Sequence, residues 1–161
     1  MATTTTATKK EGYVNGSDLL LMIGDKAVGH CTSHTTTFTS ETKERQVKPV
    51  ATAPITKALF KGKGVVGLAY SISAEGFRFF NESECGFKNL FKLWKAGASV
   101  TVAAKERESD SPYLKGACVI TNLVETAPAG DDATYSLQLE NDGAPDELDE
   151  SKITESAAGG A

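Results

Sequence analysis

Hydrophobic positions fall into short alternating runs along most of this chain, and the runs predict strands. Leu19, Leu20, Leu21, Met22 and Ile23 are apolar on both faces of a period-2 pattern, the mark of a strand covered on both sides. Gly24 and Asp25 follow as a two-residue loop, with Gly first as a type II′ turn requires, and a Thr-rich run returns from Lys26 towards Ser40. The opening is therefore expected to be a hairpin. From Val65 the alternation resumes, with Val66, Leu68, Tyr70 and Ile72 on one side and Gly67, Ala69, Ser71 and Ser73 on the other. Ser99 to Ala104, Tyr113 to Glu125 and Ala133 to Glu140 complete the strand set, the last with Tyr135, Leu137 and Leu139 against Thr134, Ser136 and Gln138.

One segment changes period. Phe87, Leu90, Phe91 and Trp94 fall at i, i+3, i+4 and i+7, and Lys88, Lys92 and Lys95 take the opposite side, so a helix of about 83–96 is expected to pack this stripe on a sheet. Asn81 or Ser83 suits its start and Gly97 its end. Between the first two strand regions, residues of about 41–63 hold Pro49, Pro54 and mixed polar residues with little strand pattern. A loop of that length inside a small domain is uncommon unless it has a function, which makes it the first candidate for a functional element. Antiparallel strands with one short helix predict a mainly β fold, an antiparallel sandwich or barrel, and not a parallel α/β sheet.

At 161 residues the chain suits one domain with one core. The expected organisation is a flexible, Thr-rich arm over residues 1–15, a β domain over 16–142, and an acidic, Gly- and Ala-rich tail over 143–161. A net charge of −4 argues against a protein that binds nucleic acid through counterion release. The opening MATTTTATKKEG lacks the apolar core of a signal peptide, and no apolar run approaches a membrane-spanning length, so synthesis and retention in the cytoplasm are expected. Cys31, Cys85 and Cys118 are odd in number and widely spaced, and they read as reduced, half-buried small hydrophobes.

Three patterns of letters suggest chemistry, and each fails on its context. Gly62, Gly64 and Gly67 spell GxGxxG, but a dinucleotide site needs a strand before that motif and a helix N-terminus after it. Here a Pro-bearing loop precedes and a strand follows, so these are read as turn glycines. On a strand, His30 and His34 lie about 13 Å apart and Cys31 points to the other face, which no single zinc ion within one subunit can bridge; ordinary strand histidines are the favoured reading over a metal shared between neighbouring subunits. Cys85, near the helix start, is the best thiolate candidate, against the plainer reading of a structural cysteine. No catalytic residue, metal site or cofactor is assigned, and no enzyme activity is expected.

Charge is more informative. Lys43, Arg45, Lys48, Lys57, Lys61 and Lys63 cluster in the loop region against Glu44 alone, while Glu140, Asp142, Asp146, Glu147, Asp149, Glu150 and Glu155 crowd the C-terminal stretch against Lys152. One reading is a solvated surface. The sharper one is a head-to-tail contact in which the basic loop of one subunit meets an acidic surface of the next, centred on Asp142, Asp146, Glu147, Asp149 and Glu150, a geometry that builds rings or filaments.

The run NGSDLLLMIGDKAVGHCTSHTTTFTSETKE, the helix FKNLFKLWKAG and the run YLKGACVITNLVETAPAGDDATYSLQLENDG together resemble the major tail proteins, or tail-tube proteins, of tailed bacteriophages. The likeness runs from about Asn15 to Asp142 and rests on the order and spacing of the set; both ends depart from it. It implies a tail-tube β subunit of the kind shared with contractile injection systems. Such subunits form hexameric rings whose inner strands join into a continuous barrel, and the rings stack into a hollow tube that carries DNA, and tape-measure protein before ejection. The implied partners are other copies of the chain, tape-measure protein, tail terminator and baseplate proteins, and sheath protein if the tail contracts. The implied location is the virion tail, assembled in the bacterial host cytoplasm. An acidic interior would let DNA slide without sticking. The rival class is a small β-sandwich module recognising carbohydrate or protein on a phage or bacterial particle.

Overall fold

A computed structural model describes residues 12–48, 54, 60–109 and 111–147. A single 3-10 turn, Gly16–Asp18, leads into β1 (Leu19–Ile23), β2 (Lys26–Ala27), β3 (Cys31–Arg45), β4 (Gly62–Phe77), α1 (Phe87–Ala96), β5 (Val100–Glu106), β6 (Leu114–Thr126) and β7 (Thr134–Asn141). Hydrogen bonding joins all seven strands into one antiparallel sheet in the order β2-β1-β5-β6-β7-β4-β3. The mainly β, antiparallel fold with one short helix is thus present, with a single continuous sheet as its framework.

The opening hairpin forms, but it is brief. Gly24 takes a positive φ of 62° and Asp25 does not, as a type II′ turn demands, and β2 pairs with β1 only through Met22↔Ala27 and Ile23↔Lys26. The Thr-rich run does not return beside β1 as expected. At Val28 the chain leaves the sheet edge, held by Val28 N–H to the Leu21 carbonyl (2.9 Å) and Gly29 N–H to the Cys85 carbonyl (2.9 Å). His30 turns it through a left-handed φ of 48°, and β3 then forms the opposite edge of the sheet, paired only with β4. A Thr-rich strand carries no strong apolar face to choose its partner, so its position was open to the tertiary structure.

One side of the sheet carries the core. Leu21 and Ile23 of β1, Val100 and Val102 of β5, Cys118 of β6, Leu137 and Leu139 of β7, and Ile72 and Ala74 of β4 are all buried there. This is the alternation read from the sequence, now seen as one inward face per strand. The opposite side of β1 is only half covered at Leu20 and Met22, so the expected cover on both faces is incomplete within one subunit.

Helix α1 lies across this core face, and its boundaries are tighter than the periodicity suggested. Its N-cap is Gly86, without a side-chain cap, because Asn81 and Ser83 belong to the preceding loop. At the other end Gly97 adopts the left-handed C-cap, its N–H meeting the Trp94 carbonyl. Leu90 is 0% exposed, and Phe87 and Leu93 pack beside it on the core, whereas Phe91 and Trp94 stay 45% and 49% exposed. The buried side is therefore Phe87, Leu90 and Leu93, and Phe91 and Trp94 stack on its solvent shoulder, 6.0 Å between ring centroids. Arg78 sits over the Phe87 ring at 4.7 Å and also pairs with Glu125, tying the helix start to β6.

Close packing at the sheet end gives a test. A Cβ on Gly76 would lie 2.7 Å from the Tyr135 hydroxyl and 2.8 Å from the His30 carbonyl oxygen, and that hydroxyl donates a hydrogen bond to the Gly29 carbonyl. Gly76→Ala must displace backbone at the β3 entry, so urea denaturation is expected to show a loss of about 1–3 kcal/mol, with the m-value unchanged.

Candidate assembly interface

Unequal strand lengths create the most distinctive feature of the surface. β3 and β4 pair continuously from Cys31↔Gly76 to Arg45↔Gly62, but β7 accompanies β4 only from Phe77 to Ser71. Beyond that point Thr39–Arg45 and Gly62–Ala69 stand out as a two-stranded ribbon. The side chain of Asn141, the last residue of β7, accepts a hydrogen bond from the Tyr70 N–H (3.1 Å) and closes the β7–β4 ladder there. The expected loop is correspondingly shorter: strand pairing extends to Arg45 and resumes at Gly62, so only residues 46–61 connect the two strands.

The two faces of the ribbon differ in chemistry. Cross-strand partners share a face, so Phe38, Ser40, Thr42 and Glu44 lie with Tyr70, Leu68, Val65 and Lys63 on the side that carries the core. Phe38 is 69% exposed and Leu68 76%, although they extend a line of buried residues, Ala74, Ile72 and Tyr70. On the other face Thr39, Glu41, Lys43 and Arg45 stand opposite Ala69, Gly67, Gly64 and Gly62. This pairing accounts for the GxGxxG spacing. A register shift between Glu41 and Thr42 puts one extra β4 residue at Val65–Val66, so all three glycines face the same way on one strand. They are strand glycines, not turn glycines and not a phosphate loop.

Of the basic cluster, Lys43 and Arg45 lie on β3 and Lys63 on β4, all exposed. Lys61 and Lys63 share one carboxylate, with Nζ 3.1 Å and 3.6 Å from the two oxygens of Glu44. Lys48 is exposed just past β3, and Lys57 lies outside the described residues. Of the acidic set, Asp142 accepts a hydrogen bond from the Ser99 hydroxyl, and the Asp146 N–H donates to the Lys115 carbonyl (2.7 Å). Glu147 is exposed, and Asp149 and Glu150 lie outside the described residues, as does most of the arm expected over residues 1–15. Among the described residues no ion pair joins the basic set to the acidic set within one subunit.

The remaining candidates take structural places. Cys85 immediately precedes the helix cap but is buried, and burial pushes its thiol above the usual range, the opposite of thiolate activation. Burial raises the Cys31 and Cys118 thiols as well. His34 sits on β3, while His30 lies in the left-handed turn before it, where its Nδ1 meets the Glu82 carboxylate and its ring stacks on Phe79 at 4.4 Å. Among the described residues no group of three His, Cys, Asp or Glu side chains is placed to hold a metal ion. Two clefts of about 200 and 230 Å³ are open and fall short of the volume that drug-sized ligands occupy, which directs attention to surfaces.

No protein-family model matches the chain, and no curated protein matches it. Solved structures do. The chain is similar to a subunit of the tail of an empty gene transfer agent particle, a structure with helical, C6 symmetry, at TM-score 0.65 and 16% identity over 85% of this chain and 100% of that one. It is also similar to a chain of the sheath–tube complex of an extracellular contractile injection system, PVC, in the extended state, at TM-score 0.56 and 13% identity over 91% and 100% of the two chains. A third likeness is to the SPP1 tail tube, at TM-score 0.52 and 14% identity over 85% of this chain and 81% of that one. The fold is therefore that of tail-tube proteins.

Tyr70, at the root of the ribbon, supplies a pH test. Burial, and then the neighbouring Cys118 thiol, push its phenol up to about 12 from 10.0. A folded-state pKa above the unfolded one contributes stability that is fully present below pH 10 and is lost as pH rises through about 12. Denaturation between pH 8 and 11.5 is expected to show this alkaline loss in the parent chain, and a shallower loss in Tyr70→Phe.

Proposed function

We propose that this chain is a structural subunit of a tail tube, in which copies form hexameric rings that stack into a hollow conduit for DNA passing from capsid to host. The observation that carries the reading is the fold: a tail, a sheath–tube complex and a tail tube from three different systems hold chains matched over at least 81% of their length. The ribbon supports it, because an apolar strip on a projecting element has no partner among the described residues and fits a contact with another copy. The long β3 edge supports it too, since ring closure would cover the free outer edge of a 15-residue strand that pairs with β4 on its other side.

In this reading the sheet face away from α1 lines the conduit. Its rows across β3, β4, β7 and β6 run Thr35, Ser73, Gln138, Asn122, then Thr37, Ser71, Glu140, Val119, then Ser33, Glu75, Ser136, Val124. Hydroxyl and amide groups with scattered carboxylates hold DNA phosphates weakly, so a duplex slides past these central rows, while the cations of the same face, Lys43, Arg45, Lys105 and Lys115, stand outside them on the ribbon and towards β5. Helix α1 then lies outward, where sheath protein would meet it in a contractile tail. Tape-measure protein would occupy the lumen before ejection, and terminator and baseplate proteins the two ends. The basic ribbon of one copy meets the acidic C-terminal stretch of the next. The arm of residues 1–15 and the tail of residues 143–161 flank the tube domain of residues 16–142.

Negative-stain electron microscopy of the purified chain at increasing concentration, with light scattering alongside, tests the proposal. Hollow tubes or six-membered rings are expected. A strict monomer at high concentration that also fails to assemble with neighbouring tail proteins would favour a small binding module instead. Reversing Arg45, Lys48 and Lys57 to Glu is expected to leave the circular dichroism of the monomer unchanged and to abolish tubes. Normal tubes from that variant would remove the charge contact from the proposal.

A further inference from the structure

The two ends of β4 carry apolar patches surrounded by opposite charge. At the ribbon end Phe38, Val65 and Leu68 are exposed, and Lys43, Arg45, Lys48, Lys61 and Lys63 outnumber Glu41 and Glu44. Lys61 and Lys63 share the single Glu44 carboxylate, so two cations stand against one anion there. At the other end β4 finishes at Phe77, and Phe79 and Phe80 are exposed in the loop that leads to α1. The turn between β6 and β7 closes beside them. Thr134 stands opposite Phe77, and the Arg78 N–H donates to the Ala133 carbonyl (2.9 Å), which brings exposed Asp131 and Asp132 to the same end of the sheet.

The charges at this second end are sorted. Arg78 pairs with Glu125, and His30 with Glu82. Lys88 and Lys92 share a cleft with Phe79 on the helix side, so the acidic part of this end is the β6–β7 turn. Asp131 accepts the Asp132 N–H (2.8 Å), and among the described residues no ion pair involves either carboxylate. The two patches cannot meet within one subunit, because Leu68 and Phe77 lie nine residues apart on one strand, about 30 Å. A second copy placed end to end, with its β4 pointing the same way, brings them together. The acidic C-terminal stretch does not offer that contact. β7 runs towards the ribbon, and the Asp142 and Asp146 N–H groups meet the Ala117 and Lys115 carbonyls, so this stretch stands at the ribbon's own end, where it serves a copy alongside.

We propose that the ribbon of one copy docks on the opposite end of a second copy, with Phe38, Val65 and Leu68 against Phe79 and Phe80 and with Lys61 and Lys63 facing Asp131 and Asp132. Each patch joins apolar groups to one sign of charge, so each selects the other over its own kind. The contact is heterologous. It leaves a free ribbon at one end of the pair and a free receiver at the other, so it repeats along the strand direction. It rests on the tail-tube reading for its place, between stacked rings, and gives the receiving side to the β4–α1 loop and the β6–β7 turn.

The test mixes two variants of the full chain, Ser40→Cys on the core side of the ribbon and Ser83→Cys in the β4–α1 loop, and joins them with a short bismaleimide at the highest soluble concentration. Pairs containing one of each variant are expected above the yield from the native cysteines. They are also expected above the yield from Ser40→Cys mixed with Ala96→Cys, at the last residue of α1. Reversing Asp131 and Asp132 to Lys in the Ser83→Cys chain is expected to lower the yield roughly fivefold or more, with circular dichroism unchanged. A yield no higher than the Ala96→Cys control, or one indifferent to the reversal, overturns the proposal; hollow tubes under that outcome leave the tail-tube reading standing. Selective, charge-dependent pairs from a chain that forms no rings or tubes uphold the end contact and sink the tail-tube reading alone.

Discussion

The length mismatch between β7 and its neighbours sets up the rest of this molecule. A sheet strand buries its inward face only where companion strands continue beside it, and β7 ends at Asn141 while β3 and β4 run on to Arg45 and Gly62. Below that level the inward residues Tyr70, Ile72 and Ala74 are core. Above it Leu68 and Phe38, in the same line, face solvent. The ribbon is therefore core-like in composition and surface-like in position, the character of an interaction surface. Asn141 makes the boundary sharp by replacing the next backbone partner of β4 with a side-chain carbonyl, so the ladder ends without leaving the Tyr70 N–H unpaired.

Where the alternation was strict, the sequence was legible. Tyr135, Leu137 and Leu139 are buried as their period-2 pattern implied, and Gly97 ends the helix because only a residue tolerant of positive φ can take that cap. Burial at single positions was harder to read. Val66 and Leu68 shared a pattern with Tyr70 and Ile72 yet are exposed, because the pattern reports what a strand can bury and not whether a neighbour is present. The partner of β3 was hidden for a related reason. Thr at 35, 36, 37 and 39 occupies both faces, so no hydrophobic register favours β1 over β4, and the left-handed turn at His30 decides. The helix start was misplaced because Asn and Ser are good caps wherever a helix begins, and here Gly86 holds the position instead.

The glycines show how one motif can have two physical origins. In a phosphate loop, GxGxxG brings backbone amides to a pyrophosphate, and its spacing is that of a turn entering a helix. On β4 the same spacing arises from period-2 alternation interrupted by one bulge residue, which leaves Gly62, Gly64 and Gly67 opposite Arg45, Lys43 and Glu41. Opposite a glycine, a long charged side chain has no neighbour of its own size to pack against. The face stays flat on the β4 side and charged on the β3 side.

These two faces solve different halves of one problem. A long, unpaired edge such as β3 invites uncontrolled strand addition, and charges along it are a common deterrent. Glu41, Lys43, Glu44 and Arg45 supply them at the projecting end, where no other strand among the described residues shields the edge. Charge, however, deters every partner alike unless the partner is itself charged in a complementary way. An apolar strip backed by mixed charges therefore admits a surface that brings both apolar groups and the opposite sign, and rejects simple edge-to-edge pairing.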